Sequence, residues 1–145
     1  MSQLSFEIVT PAGLIWQEEV WEVLLPTPDG QIGVLPNHLP LVTLLTPGII
    51  TIKRQAEENE ANAEHVATAG GFVAIDGQRV RVLADEAERA DDIDEAKAKE
   101  ALERAQALQK SNQSEVSLAD ATAAIELNLA RLKVAGLRRR RRKAR

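Results

Sequence analysis

Few residues of this 145-residue chain could perform chemistry. It has two histidines, His38 and His65, and no cysteine, which excludes a disulfide framework, a thiolate metal site and a cysteine nucleophile. Neither histidine belongs to a HExxH pair, and the chain contains no GxSxG elbow and no GxxxxGK[ST] phosphate loop. A lone histidine between prolines, as His38 is, most often forms a hydrogen bond in a turn. An enzyme acting through His38 is therefore a hypothesis without a nucleophile or a metal partner.

Two other groups of residues could bind a ligand. Gly70 and Gly71 lead from one predicted strand into another, so they lack the helix N-terminus of a phosphate site, and we predict a backbone bend there. A group of carboxylates near the middle of the chain could be imagined as a metal site. We interpret it as a solvated linker whose last members favour a helix N-terminus, so no metal is expected. The group comprises Asp85, Glu86, Glu88, Asp91, Asp92 and Asp94.

The strongest electrostatic feature is the basic C-terminal run. The whole chain has a net charge of -4. Residues 138–145 carry seven positive charges, whereas residues 1–86 carry four basic and twelve acidic groups. The run is either a disordered, solvated end or a surface for an acidic protein, anionic lipid headgroups or nucleic acid. The acidity of residues 1–86 and the lack of aromatic residues among the arginines argue against nucleic acid.

Residues 1–86 predict a β domain. Leu4, Phe6 and Ile8 alternate with polar residues, and turn signals such as Thr27-Pro28-Asp29-Gly30 separate further short apolar segments. This spacing is typical of an antiparallel sandwich or barrel, and an aromatic content of 3% makes its core mostly aliphatic. No signal peptide is recognisable and no apolar run approaches the roughly 18 residues of a membrane span, so we expect a soluble, unexported protein.

The stiffest predicted segment covers residues 30–40, Gly-Gln-Ile-Gly-Val-Leu-Pro-Asn-His-Leu-Pro. Pro36 and Pro40 fix their own φ angles, while Gly30 and Gly33 permit turn or bulge conformations. The residues predict a turn, a short strand and a second turn. An ordinary connection between strands and a surface shaped for a specific contact are both compatible with this pattern.

From residue 87 onward the sequence predicts two helices, because alanine is abundant, proline is absent and Gly136 is the only glycine. Asp92 and Glu95 have capping-box spacing for the first helix, and Ser117 with Asp120 begins the second. The polar residues 111–114 between them indicate an antiparallel αα-hairpin. Burial contributes about 0.8 kcal/mol per CH₂, so an alanine-rich seam predicts a marginally stable hairpin that can detach.

Three stretches resemble one known family. Residues 30–41 resemble the G-x-[LI]-G-[VI]-x-P-x-H-x-P-L signature of the epsilon subunit of bacterial and chloroplast F-type ATP synthases, the equivalent of the mitochondrial delta subunit. Gly70-Gly71-Phe72 resembles the second landmark of that family, and residues 83–88 with 93–96 resemble its junction into the helices. The resemblance covers nearly the whole chain, and only the terminal arginine run lies beyond it.

The resemblance implies an α+β fold, with an antiparallel β-sandwich of about ten strands in residues 1–86 and a regulatory two-helix hairpin in residues 87–137. Residues 138–145 are added as a basic tail. It implies a non-catalytic central-stalk (rotor) subunit that couples proton-driven c-ring rotation to ATP synthesis. The implied partners are the gamma subunit and the c-ring, and the catalytic beta and alpha subunits when the hairpin extends to inhibit ATP hydrolysis.

The implied location is peripheral, on the cytoplasmic face of a bacterial inner membrane or the stromal or cytoplasmic face of a thylakoid, with membrane contact only through the complex. The alternative function is a nucleic-acid or anionic-surface binding module that uses the arginine-rich tail. Binding of DNA by the isolated chain would favour that alternative, whereas co-purification with gamma would favour the stalk subunit.

The resemblance also implies a contact loop for the c-ring and gamma. Many relatives have Glu where this chain has Gln31, which leaves a neutral hydrogen bond in place of an ionic contact. The loop consists of Gln31, Ile32, Gly33, Val34, Leu35, Pro36 and His38.

Some relatives bind ATP on the folded hairpin through the motif [IL]-D-x-x-R-A. This chain has Ile93 and Asp94, but Lys97 replaces the arginine, and Leu127 stands where such relatives offer another arginine; Arg131 completes the candidate residues. Because lysine lacks the planar guanidinium fork, we expect no ATP sensing and no cofactor.

In the inhibitory state implied by the family, basic residues approach an acidic segment of the beta subunit, and we predict that the tail strengthens inhibition. Those residues are Arg131, Lys133, Arg138, Arg139, Arg140, Arg141 and Arg142.

Overall fold

The computed structural model describes residues 3–111 and 115–144. Within these residues the chain forms eight strands, then a short 3₁₀ turn at Ala90–Asp92, then two helices. The elements are β1 Leu4–Thr10, β2 Gly13–Val20, β3 Glu22–Thr27, β4 Gly30–Val34, β5 His38–Leu45, β6 Gly48–Lys53, β7 Glu64–Gly77, β8 Arg79–Arg89, α1 Glu95–Ser111 and α2 Glu115–Ala144.

The strands form one sheet that folds over itself into two layers. Its order is β2-β1-β8-β7-β6-β3-β4, and β5 pairs with β7 beside this path. The first part of β7 pairs with β6 and its second part pairs with β5, while β8 follows β7 along nearly its whole length. Each long strand therefore serves both layers. The described residues thus form eight strands, where the resemblance implied about ten, because β7 and β8 are each one long continuous strand.

The bend in β7 lies at Gly70 and Gly71, where the register with β8 shifts. Gly71 has a φ of +145°, and a Cβ atom added there would lie 2.0 Å from the carbonyl oxygen of Leu83. Only a residue without a side chain permits this approach of two backbones. The backbone bend predicted from the glycine pair is confirmed.

Two strand predictions need correction. The pairing of β1 with β8 is parallel, whereas the other strand pairs among the described residues are antiparallel. A long crossover makes this possible, because the rest of the sandwich lies between the two strands in sequence. No separate strand was predicted over β2, since three consecutive polar residues, Gln17, Glu18 and Glu19, obscure its alternation.

The core of the sandwich is mostly aliphatic, as predicted. Leu4, Phe6 and Ile8 of β1 are completely buried, in agreement with their period-two spacing. They pack in one cluster with residues of the opposite layer, including Ile50 and Ile52 of β6. Trp16 of β2, which is almost completely buried, closes one edge of this cluster.

The start of α1 differs from the prediction. Asp94, not Asp92, caps the helix, because its Oδ1 accepts a hydrogen bond of 3.2 Å from the backbone N–H of Lys97. Asp92 lies in the 3₁₀ turn, and Ile93 between them is extended and buried, which separates the turn from the helix.

The second helix is longer than predicted. It includes Glu115, ahead of the predicted start at Ser117, and part of the predicted connection, residues 112–114, lies outside the described residues. At its other end α2 continues to Ala144. The described part of the segment separated as a basic tail is thus the last turns of this helix.

The hairpin packs against the sandwich through a seam of small residues, here called the docking seam. Ile49 and Ala67 contribute from β6 and β7, on the face opposite to the core residues Ile50 and Val66. Since side chains alternate between the faces of a strand, α2 covers the outer face of one layer. The docking seam comprises Ile49, Ala67, Ala90, Ile93, Ala130, Val134 and Ala135.

Candidate functional site

The predicted contact loop contains a tight turn between β4 and β5. Asn37 has a φ of +67°, and the backbone N–H of His38 donates a 3.2 Å hydrogen bond to the carbonyl oxygen of Leu35. Pro36 precedes Asn37, so a fixed φ is followed by a left-handed residue, as in a type II turn. Gln78 Nε2 also donates to Asn37 Oδ1 at 3.3 Å. The turn is therefore held both by its own backbone and by the neighbouring β7–β8 turn.

The loop residues do not form one compact tip. Gln31 lies near the start of β4, and Leu35 follows the end of that strand, roughly 13 Å away at about 3.3 Å per residue. Gln31 lines a groove of about 550 Å³ beside α2, together with Glu126, Leu129 and Lys133 of that helix. His38 lies at the opposite end and pairs with Gly77. Ile32, Gly33 and Val34 form the strand between them, with Val34 in the core.

A surface that the sequence did not reveal lies on the other layer of the sandwich, and we call it the apolar row. Leu44 pairs with Phe72, Phe72 with Leu83, Leu83 with Val9 and Val9 with Leu14. Four of these side chains expose about half of their surface and Val9 is partly exposed. Neighbouring residues of a row point to the same face, so five strands present one continuous apolar strip. The signal could not be found by periodicity alone, because it depends on the register of five strands.

The candidate ATP-sensing residues lie around a cleft of about 380 Å³ at the junction of sandwich and hairpin. Asp94, Lys97 and Arg131 line it, whereas Ile93 is buried in the docking seam. Three carboxylates face three cations across the cleft, so its charges are already balanced. The remaining lining residues are Glu88, Asp92, Ala98, Ala101 and Arg104.

Arg131 is held by acidic residues of β8. Its Nη2 lies 3.2 Å from Glu86 Oε2 and its Nε lies 3.3 Å from Glu88 Oε2. Asn128 Oδ1 accepts a further hydrogen bond of 3.1 Å from its Nη1. Burial raises the pKa of Glu88, the charge of Arg131 opposes that rise, and the neighbouring carboxylates of Asp92, Glu86 and Asp94 add to it. Arg131 thus offsets the crowding of negative charge at the junction.

Arginines near the end of α2 contact the sandwich and the junction. Arg138 Nη1 donates a 2.6 Å hydrogen bond to the carbonyl oxygen of Ala90, and Arg141 Nη1 lies 2.8 Å from Glu64 Oε1. We call Arg138, Arg139, Arg141 and Arg142 the arginine latch. The other two members pair with acidic residues, Arg139 with Glu95 at the start of α1 and Arg142 with Asp91 of the 3₁₀ turn at 3.5 Å.

The other basic residues predicted to contact the catalytic subunits differ from the latch. Arg140 is exposed and makes no ion pair or hydrogen bond with the residues that the structure describes. Lys133 is exposed at the wall of the groove beside Gln31. The predicted set therefore divides into engaged arginines and freely accessible cations.

Two family models match this chain. Residues 3–90 match the β-sandwich domain, and residues 91–136 match the long α-helix domain, of the ATP synthase delta/epsilon chain. The chain belongs to the ATP synthase delta/epsilon chain family.

Curated relatives agree with this assignment. The ATP synthase epsilon chain of Moorella thermoacetica is 40% identical over 136 residues, which are 94% of this chain and 98% of the relative. The chloroplastic ATP synthase epsilon chain of Psilotum nudum is 38% identical over 104 residues, 72% of this chain and 74% of the relative.

Solved structures agree as well. A chain in the cryo-EM structure of the Euglena gracilis mitochondrial ATP synthase, OSCP/F1/c-ring, superposes with a TM-score of 0.74 at 26% identity, over 93% of this chain and 82% of that one. A chain of the Tetrahymena thermophila mitochondrial ATP synthase central stalk/c-ring structure has a TM-score of 0.56 at 12% identity, over 91% and 99% of the two chains, and shows the shared fold.

These findings confirm the predicted family, the α+β fold and a non-catalytic rotor-stalk subunit of an ATP synthase. The chain works with other ATP synthase subunits in a membrane-associated complex. Neither the nucleic-acid alternative nor catalysis through His38 receives support from them. Among the described residues, neither helix is long and apolar enough to span a membrane.

Proposed function

We propose that this subunit binds the gamma subunit through the apolar row and the c-ring through the loop from Gln31 to His38. The observation that carries the proposal is the continuity of the row across five strands. Scattered apolar residues are normal on a protein surface, whereas a contiguous strip marks an interface. Phe72 in its centre is the type of residue that anchors protein interfaces.

The loop suits a mechanical contact with the c-ring. Its turn is fixed by Pro36, by the left-handed Asn37 and by hydrogen bonds to neighbouring backbone and to Gln78. A stiff turn passes torque to or from a rotating ring with little loss to flexing. Gln31 at the far end of β4 contributes a neutral hydrogen bond, and its position beside α2 makes that contact dependent on the hairpin.

The hairpin is the proposed regulatory element. Leaving the sandwich, it extends toward the catalytic beta and alpha subunits and inhibits ATP hydrolysis. The small residues of the docking seam support this role, since they bury little apolar area and leave the folded position only modestly favoured. Basic residues of α2 then approach an acidic segment of the beta subunit, and the arginine-rich end strengthens that contact.

Regulatory ATP is not part of the proposal. Lys97 lacks the planar fork of an arginine, Arg131 is already paired with two carboxylates, and the cleft between them is neutral overall. Titration of the isolated chain with MgATP is expected to show no saturable binding. As part of the complex, the proposed location of the subunit is the cytoplasmic face of a bacterial inner membrane, or the stromal or cytoplasmic face of a thylakoid.

Co-expression of the tagged full chain with the gamma subunit tests the interface. We expect the two proteins to co-purify, and proton-driven ATP synthesis to return when the chain is added to an enzyme that lacks it. Absence of a gamma complex would contradict the proposal.

For the regulatory part, the variant Lys133→Gln/Arg140→Gln is assembled into the enzyme and ATP hydrolysis is measured, because these two exposed cations lie outside the arginine latch. Faster hydrolysis is expected, and unchanged hydrolysis would contradict an inhibitory role of the basic residues.

A further inference from the structure

We propose that the arginine latch holds the hairpin in its folded position on the sandwich. The end of α2 is then a reversible clamp within the chain as well as a set of charges for a partner. The clamp itself is independent of any other subunit. Its consequence for inhibition rests on the proposed function, because that consequence requires the hairpin to leave the sandwich.

The strongest contact of the latch is the ion pair of Arg141 with Glu64. Their side chains are only 14% and 19% exposed, and the atoms Nη1 and Oε1 lie 2.8 Å apart. The same Nη1 donates to the carbonyl oxygen of Ala63 at 3.3 Å. A charge pair that is largely shielded from water is screened less by salt than an exposed pair. This contact therefore ties the last turns of α2 to the start of β7.

Release of Arg141 would not leave Glu64 without a partner. Arg54 Nη1 lies 3.4 Å from the same carboxylate oxygen, and Arg54 also pairs with Glu18 at 2.8 Å. Removing one partner of a buried charge is costly when the remaining charge is uncompensated. Because Arg54 stays with the sandwich, Glu64 remains paired while the hairpin is away. The clamp can thus open and close reversibly.

Arg138 connects the end of α2 to the junction between the two parts of the chain. The carbonyl oxygen of Ala90, which accepts its 2.6 Å hydrogen bond, also accepts one from the backbone N–H of Ile93 at 3.4 Å. Arg142 pairs with Asp91 and Arg139 with Glu95, both of which follow Ala90 in the chain. The latch thus contacts the segment from Ala90 to Glu95, which must change its path when the hairpin moves.

Charge contacts matter here because the docking seam is weak. Its α2 residues are two alanines and one valine, which bury little apolar area. The same guanidinium groups cannot serve the sandwich and an acidic partner at once. An acidic partner must therefore compete with the carboxylates of Glu64, Asp91 and Glu95 for the latch, and the latch sets how readily the hairpin is released.

Hydrogen exchange of the isolated full-length chain tests the latch. The variant Arg138→Gln/Arg141→Gln removes two contacting arginines. Its matched control, Arg140→Gln/Lys143→Gln, removes two charges from the same turns, where neither side chain contacts the described residues through a hydrogen bond or ion pair. We expect the amides of Ala130, Val134 and Ala135 to exchange about tenfold faster in the first variant and at the wild-type rate in the control.

The amides of β1 report whether the sandwich stays folded, and their exchange should be unchanged in both variants. Equal exchange of α2 in the two variants would overturn the latch, and so would faster exchange of α2 and β1 together. Added NaCl should speed exchange of α2 in the wild-type chain, because Arg139 and Arg142 form exposed pairs. The chain is tested alone, so a failure here is distinguishable from a failure to bind gamma or to inhibit the enzyme.

Discussion

The guanidinium of Arg89 stacks on the indole of Trp16, with its Cζ atom 3.9 Å from the ring centroid. Arg89 is the last residue of β8, and the chain turns toward the hairpin directly after it. Trp16 is almost completely buried in the sandwich core. The stack therefore fixes the end of β8 to the sandwich core at the point where the chain leaves the sandwich.

This stack predicts a measurable coupling between the two side chains. In a double-mutant cycle of Trp16→Leu and Arg89→Gln, the free energy of unfolding should show a coupling of about 0.5–2 kcal/mol. Urea unfolding of the isolated chain measures it. Arg79→Gln is the control, because that side chain has no ion pair or hydrogen bond among the described residues, and its coupling with Trp16→Leu should be near zero. A coupling free energy between Trp16→Leu and Arg89→Gln as small as that with Arg79→Gln would contradict the role of the stack.

The apolar row predicts a variant with intact fold and weakened assembly. Phe72 exposes 55% of its surface, so Phe72→Ser should change the free energy of unfolding little. It should weaken binding to the gamma subunit by about tenfold or more, since a central aromatic anchor is lost. Leu108→Ser on α1 is matched in exposure, at 56%, and should bind gamma normally. The affinity of each variant for the purified gamma subunit is measured. Equal affinities of Phe72→Ser and Leu108→Ser would exclude the apolar row as the interface.

The bend at Gly71 predicts opposite effects of the same substitution at two positions. Gly71→Ala should lower the free energy of unfolding by about 3 kcal/mol or more, because the new Cβ would meet the Leu83 carbonyl oxygen and the φ is unfavourable. Gly136→Ala in α2 should raise it by about 0.5–1 kcal/mol, since its Cβ would have an ordinary contact and alanine favours helix. Chemical denaturation of both variants checks the signs. A tolerated Gly71→Ala would mean that β7 bends elsewhere.

Much of the fold was predictable because it depends on local sequence patterns. The alternation of Leu4, Phe6 and Ile8 and the turn at Pro28-Asp29 depend only on neighbours in sequence, and both appear in the structure. The parallel pairing of β1 with β8 was not predictable in this way, since it joins residues more than 70 positions apart. The family motif supplied the function, which no pattern of charge or periodicity could have done.

The site was predicted less completely, because it depends on register and on long-range contacts. The motif drew attention to Gln31 and His38, yet Gln31 lies near the start of β4, whereas His38 begins β5 beyond the turn at the other end of that strand. The apolar row needs the pairing of five strands before it becomes visible. The arginines were predicted as charges for a partner, and their contacts with Glu64 and Ala90 depend on α2 continuing to Ala144 and lying along the sandwich.

His65 predicts a pH dependence of stability. Burial lowers the pKa of His65 from its ordinary 6.5, and the charge of Arg141 adds to this; the hydrogen bond to the Glu60 carbonyl oxygen and the carboxylates of Glu64 and Glu60 oppose it. The unfolded chain therefore binds a proton at a higher pH than the folded chain. Stability is fully present above pH 6.5 and falls as the pH drops from there toward the lowered pKa.

Urea unfolding at a series of pH values should show this fall, and His65→Gln should remove that part of it. Titration of the His65 ring by NMR gives an independent reading. In the variant Arg141→Gln the pKa of His65 should rise toward its ordinary value, because a nearby positive charge is lost and the end of α2 is loosened. An unchanged titration in Arg141→Gln would show that α2 does not lie over His65 in solution, and the latch would then lose its strongest contact.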